Sequence, residues 1–361
     1  MSKELVLKAF EKVYGDSKNV SVYFAPGRVN LIGEHIDYNG GLVLPCALTI
    51  GTYAAVRKRE DNSINFYSEN FPNNHDFEKY PRAVIKSLEL TPNQGFDVAY
   101  YGDIPNQSGL SSSASIEVVT AFFLNDLYDL NLDNITIAKL CQRAENEFVG
   151  VNCGIMDQFA IAMGKKDNAI YLNTETLDYT YVPIDLKDHK LIIANTNKKR
   201  TLADSKYNER RQECDEAAKI LGVDYLCQLD KVLPLDDEIL QKRAKHVITE
   251  NKRTKDATIW LKNGDLKVFG KLMNESHDSL RDDYEVTGVE LDTLVDSARA
   301  QLGVLGSRMT GAGFGGCTVS IVKENAIDTF IENVGNAYKS KTGLTADFYV
   351  VEIGDGPVKL Q

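Results

Sequence analysis

The sequence has a single tryptophan, and its six cysteines (46, 141, 153, 214, 227 and 317) form no Cys-x-x-Cys pair. That pattern excludes a zinc ribbon and a disulfide framework, so the thiols read as small buried hydrophobes in a reducing cytoplasm. Cys153 lies beside a candidate site, and burial rather than reactivity is expected of it. The five histidines are scattered, without the spacing of a zinc site. Apolar runs fall far short of a membrane span, and the start Met-Ser-Lys-Glu lacks the apolar core of a signal peptide. Positive charge is also short. With 41 basic against 52 acidic residues the net charge is −11, which argues against a nucleic-acid binder. A small phosphorylated ligand stays possible, because it needs only a few local cations or N–H groups. No internal repeat and no low-complexity linker interrupts the chain. What is present is an ordinary apolar fraction of 43% over 361 residues, enough for two domains.

Periodicity divides the chain into two halves. Residues 3–14 predict a short helix ending near Gly15. Strands are expected at 20–24, across 42–57 (one or two), at 63–68 and at 95–103, with a short helix at 79–90. Ile116, Val119, Phe123, Leu127 and Leu130 recur at spacings of three and four, a helix. A second helix is expected over 136–149, with Ile137, Cys141, Ala144 and Phe148 inward. Strands follow at 169–172, 178–184 and 190–197. The pattern then changes to a charged helix over 201–221, further helices to about Leu302, and a glycine-rich turn at 303–316. Strand 317–322, helix 325–340 and strand 348–353 close the chain. The shift puts a domain boundary near 190–200, taken as 1–195 and 196–361, with the site between two closely packed domains.

The densest chemistry lies in residues 25–45. Arg28, Asn30, Glu34, His35, Asp37 and Asn39 alternate there with Gly27, Gly33, Gly40 and Gly41. No regular hydrophobic period survives such a mixture. A surface loop closed by its own Asx turns is one reading. Two carboxylates, a histidine and an arginine held by flanking strands favour a pocket for a polar ligand, with hydroxyls as its natural partners.

Asn106–Ser115 (Asn-Gln-Ser-Gly-Leu-Ser-Ser-Ser-Ala-Ser) follows a strand and opens a helix. Small residues and free N–H groups at a helix start can wrap an anion, and the serines can reach phosphate oxygens or a magnesium ion. A cap alone needs one serine, and no Walker A lysine follows. Glu145 on the next helix is a hard-oxygen candidate for magnesium, although a helical glutamate usually faces solvent. Asp157 stands among Ile155, Met156, Phe159 and Ile161. It is either a helix N-cap or a group that takes the proton of an attacking hydroxyl, with Arg28 keeping it ionised. Gly311-Ala-Gly-Phe-Gly-Gly316 matches Gly-x-Gly-x-x-Gly, but a strand rather than a helix follows it, so a dinucleotide site is rejected. It is expected to pack against a ligand or the other domain. Lys198-Lys-Arg200 reads as a solvated turn. Tyr207, Arg211 and Cys214 share one helix face.

Taken together, these stretches resemble the galactokinases of the GHMP (galactokinase, homoserine, mevalonate, phosphomevalonate) kinase superfamily. Residues 27–41 resemble the galactokinase signature, 109–115 the superfamily phosphate loop, 311–316 its third motif, and 154–157 the stretch bearing the catalytic aspartate. The resemblance implies an α+β, two-domain GHMP kinase fold, with a ribosomal-protein-S5-like N-terminal domain and a ferredoxin-like C-terminal domain. It implies transfer of the ATP γ-phosphoryl group to the anomeric hydroxyl of α-D-galactose, opening the Leloir pathway in the cytoplasm. By the match, Asp157 and Arg28 are catalytic, and Glu34, His35, Ile36, Asp37, Gly154 and Tyr207 form the sugar site. Gln107, Ser108, Gly109, Leu110, Ser111, Ser112 and Ser113 would wrap the nucleotide phosphates. Ser113 and Glu145 would hold Mg²⁺. Partners would be small molecules only, with no nucleic acid and no membrane, and the protein a monomer or weak dimer. Two departures stand out: Ile36 occupies a position usually held by threonine, and 72–94 is short and lacks the tryptophan common near the adenine. N-acetylgalactosamine kinases, and non-catalytic galactose sensors of the same fold, are the alternatives.

Overall fold

The computed structural model describes residues 2–91, 94–104, 109–198 and 203–361. Its largest sheet has five strands in the order Val358–Lys359, Ser21–Asn30, Pro45–Lys58, Phe96–Gly102 and Ile64–Ser68. All neighbours run antiparallel except the last pair. Strand Ser21–Asn30 extends past the predicted end at residue 24 because it is buried almost throughout, which erases the alternation that marks a half-exposed strand. Its register shifts between Pro26 and Arg28. Such an irregularity re-aims side chains, and it occurs just where the polar signature begins.

The second sheet is antiparallel, in the order Asp347–Val351, His189–Asn195, Cys317–Lys323, Val304–Thr310. In chain order its strands and the helix Ile327–Thr342 follow a ferredoxin-like path. Its first strand is His189–Asn195, so the expected division at 195/196 falls at the end of a strand of this sheet. Side-chain alternation shows how the two halves join. Ile192 and Ala194 pack with Leu294, Phe330 and Val334 of the outer helices. Leu191 and Ile193 face the other way, into one cluster with Val29, Leu31, Leu44 and Cys46 of the first half. The core is therefore continuous across the junction, and residues 28–37 are pinned at it.

Two expectations fail for identifiable reasons. Val304–Thr310, expected within a turn, is a strand. Its Gly306 marks close approach to helix Leu266–Asp282, since a Cβ there would lie 2.6 Å from Gly270 Cα. The turn is confined to residues 311–316, and a strand rather than a helix comes after it, so the rejection of a dinucleotide site stands. The helix expected over 136–149 is α-helical only through Asn134–Arg143, and Ala144–Val149 is a π-turn. The wider turn shifts the phase of the residues after it. Glu145 becomes buried, whereas Phe148 is 43% exposed rather than inward. Among the described residues no helix is long and apolar enough to cross a membrane.

Candidate active site

Between the two halves lies a cavity of about 440 Å³. Its wall is gathered from distant segments: Arg28, Glu34, His35 and Asp37, then Gly109 with Ser111–Ser113, then Glu145, Gly154, Asp157, Tyr207, Gly311 and Ala312.

At its centre Arg28 and Asp157 form a two-pronged ion pair, Nε to Oδ1 at 2.8 Å and Nη2 to Oδ2 at 2.7 Å. Arg28 Nη1 donates to the Gly109 carbonyl at 2.6 Å, tying the pair to the phosphate loop. Ser111 ends that loop in a left-handed conformation (φ 59°), and its hydroxyl donates to Asp157 Oδ2. The serine expected to meet phosphate thus spends its side chain on the aspartate. Asp157 lies in the first turn of helix Met156–Ala162, whose N-cap is Ile155, so the N-cap reading of Asp157 does not hold.

The opposite wall is a set of constrained acceptors. Burial first, then the charges of Asp157 and Glu34, push the Asp37 carboxyl up to about 7. Gly154 is what lets Asp37 sit there, because a Cβ on it would fall 2.0 Å from Asp37 Oδ2. His35 is buried in a left-handed conformation (φ 61°). Its Nε2 faces the Ala312 carbonyl at 3.2 Å, which can only accept, so Nδ1 accepts from the Tyr38 hydroxyl at 2.8 Å. Burial pushes this imidazole down to about 3, so it is neutral at physiological pH. Tyr207 closes the wall, its ring 5.6 Å from that of His35 and 5.4 Å from that of Tyr38. Arg211, one turn on, donates to the Asn152 carbonyl and lies over the Tyr38 ring, 5.8 Å from its centroid, so this helix face does turn toward the signature loop.

Behind Asp157 lies a pocket of carboxylates. Gln158 Nε2 donates to Glu145 Oε2 at 2.6 Å and approaches Glu117 Oε2 at 3.4 Å. Glu117 is fully buried, and its Oε1 has no partner among the described groups. Burial and the neighbouring Glu145 hold the Glu117 carboxyl well above the usual range; burial and Asp157 push Glu145 up to about 7. Burial likewise raises the Cys153 thiol, so it is not a thiolate nucleophile. Hard oxygens in excess, with no basic residue paired to them among those described, suit a divalent cation. Among the described residues no three His, Cys, Asp or Glu side chains could hold a metal by themselves.

A second cavity of about 450 Å³ adjoins the first and shares Lys79, Tyr80, Ser112 and Ser113 with it. Phe71, Phe77, Ile104 and Ile116 make it apolar. Asn74, Asp76, Phe77, Lys79 and Tyr80 of its lining come from the short segment that lacks tryptophan.

Family models match three stretches: the galactokinase galactose-binding signature at 8–58, the GHMP kinases N terminal domain at 79–165, and the GHMP kinases C terminal at 260–340. A galactokinase of Fusobacterium nucleatum subsp. nucleatum is 54% identical, with 99% of this chain and all of that protein covered. The galactokinase of Clostridium beijerinckii is 55% identical over 98% of both. The chain belongs to the galactokinase family. It is accordingly an ATP-dependent sugar kinase. The Lactococcus lactis galactokinase, solved with galactose, superposes with a TM-score of 0.94 at 44% identity, covering 99% of each chain. The L. major mevalonate kinase shares the fold alone, with a TM-score of 0.69 at 18% identity over 92% of this chain and 95% of that one.

Most of the residues expected from the sequence meet at one cavity. Ile36 does not: its side chain is fully buried in the apolar core and does not line the cavity. Leu110 is also a core residue, reaching the site only through its carbonyl, which accepts from Arg28 N at 3.2 Å. Gln107, Ser108, Lys199 and Arg200 lie outside the described residues, and Lys198 pairs with Glu290 at 2.8 Å. Sequence reasoning missed Arg308, Glu117, Gln158 and Lys79. Glu117 had a signal, because it shares a helix face with Ala121 and Leu124, four and seven positions on.

Proposed function

We propose that this chain transfers the γ-phosphoryl group of ATP to the anomeric hydroxyl of α-D-galactose, with Asp157 and Arg28 at the reacting atoms. The two-pronged Arg28–Asp157 pair at the cavity centre carries this reading. Three protein donors already occupy Asp157, two of them on Oδ2, so Oδ1 is the oxygen left for the sugar hydroxyl. A loose phosphoryl-transfer transition state asks for alignment more than base strength. Of the five N–H donors of Arg28, three are held by protein, and the remaining two serve the charge on the transferring group. Asp37, Glu34 and Tyr207 read the sugar, Gly154 makes room for Asp37, and His35 holds the Ala312 turn in place.

Residues 107–113 hold the phosphates, and the adjoining cavity takes the adenine between Phe77, Tyr80 and Ile104, replacing the missing tryptophan. Ser113 and Glu145 would hold Mg²⁺, which when bound would neutralise charge on the phosphates. We further place the protein in the cytoplasm, as a monomer or weak dimer. A coupled ADP-release assay across galactose, N-acetylgalactosamine, glucose and arabinose tests the activity. Galactose should give the highest kcat/KM. No ADP release with any sugar would point to a sensor.

A further inference from the structure

Glu34 is the most heavily bound residue of the sugar wall, and the group that sets it lies 274 positions away. Arg308, on strand Val304–Thr310, is completely buried. Its Nη2 donates to Glu34 Oε2 at 2.7 Å and its Nη1 to the Asn30 carbonyl at 2.8 Å. Asn30 Nδ2 donates to the same Oε2 at 2.9 Å, and Gly311 N donates to Oε1 at 2.6 Å. A carboxylate offers about four acceptor positions, two on each oxygen. Oε2 is therefore full, and Oε1 keeps one. The backbone of Glu34 is fixed as well: its carbonyl accepts from His246 Nε2 at 3.1 Å, and Glu250 Oε1 accepts from Gly33 N at 3.0 Å. Neither the main chain nor the carboxylate can turn to offer another oxygen.

A buried carboxylate needs a counter-charge, but a lysine would supply that as a point. The guanidinium fork does more, because one prong fills Glu34 Oε2 while the other holds the Asn30 carbonyl. We propose that Arg308 is a positioning residue of the sugar site: it saturates Glu34 Oε2, so that Glu34 accepts one sugar hydroxyl through Oε1 alone. This rests on reading the main cavity as the galactose site.

Calorimetric titration of galactose and, separately, of ADP into the full-length protein tests it, using Arg308→Lys, Glu34→Gln and the double variant. Arg308→Lys should weaken galactose about tenfold or more while ADP stays within about twofold. The double variant should be no weaker toward galactose than the worse single, because both changes remove one arrangement. Galactose affinity within about twofold of wild type in folded Arg308→Lys, equal losses for both ligands, or additive losses would each overturn the proposal. Should Arg308→Lys fail to fold, Asn30→Ala removes the second Oε2 donor without touching a charge. It should weaken galactose about threefold and leave ADP alone, and an unchanged galactose affinity would again refute the idea. A wild-type protein that binds no galactose would instead refute the sugar-site reading itself.

Discussion

Arg28 and Asp157 are 129 residues apart in the chain, yet their side chains lie in parallel, 2.8 and 2.7 Å between donor and acceptor atoms. Arg28 is only 4% exposed, so Asp157 is the counter-charge that a buried guanidinium needs.

Removing the carboxylate should therefore do two things. Asp157→Ala should abolish turnover, by about a thousandfold or more, since both the hydroxyl acceptor and the arginine's orientation are lost. It should also destabilise the fold by about 3 kcal/mol, because a buried charge is left uncompensated. ADP release and a denaturant titration measure the two effects. Near-normal turnover in a folded Asp157→Ala would sink the catalytic assignment.

Gly154 is predicted to act through Asp37 rather than through any contact of its own. In Gly154→Ala the new methyl would sit 2.0 Å from Asp37 Oδ2, so the carboxylate must move. Galactose KM should rise about tenfold or more with little change in the KM for ATP. A matched rise in both constants would mean that the loop as a whole had shifted.

The third prediction concerns pH. Burial raises the Asp37 carboxyl from 3.8 to about 7, so the native protein keeps a proton that the unfolded chain has released. The stabilisation from that proton is complete below 3.8 and is lost as the pH rises toward 7. Sugar hydroxyls need the ionised acceptor. Galactose affinity without nucleotide should thus weaken below about pH 7, approaching tenfold per pH unit. Glu145 titrates in the same range but sits on the cation side, so leaving out nucleotide and Mg²⁺ isolates Asp37. Asp37→Asn should flatten the profile, and a wild-type affinity level from about pH 5.5 to 8 would be inconsistent with Asp37 as the acceptor.

Local chemistry was legible wherever neighbours in sequence supply it. Helix Ser2–Tyr14, the polar signature, the serine-rich helix start and Asp157 in its apolar run all rest on short-range patterns. Each failure has its own cause. Phe148 faces outward because a π-turn adds a residue to the helical period, which periodicity cannot register. Val304–Thr310 passed for a turn because Gly306 signals close packing against Gly270 as readily as a bend. Ile36 sat inside a polar signature and was counted with it, yet its side chain goes to the core.

By itself the sequence determined which residue types assemble: the carboxylates, the arginine, the serines and the glycines that allow tight turns. Those are properties of short segments, encoded by spacing and composition. Only the tertiary structure decided what each group is free to do. Ser111 is tied to Asp157, His35 to Tyr38 and Ala312, and Glu34 to Arg308, so each presents less to a ligand than its residue type suggests. Buried polar groups must be satisfied, and the partners that satisfy these come mostly from segments far along the chain.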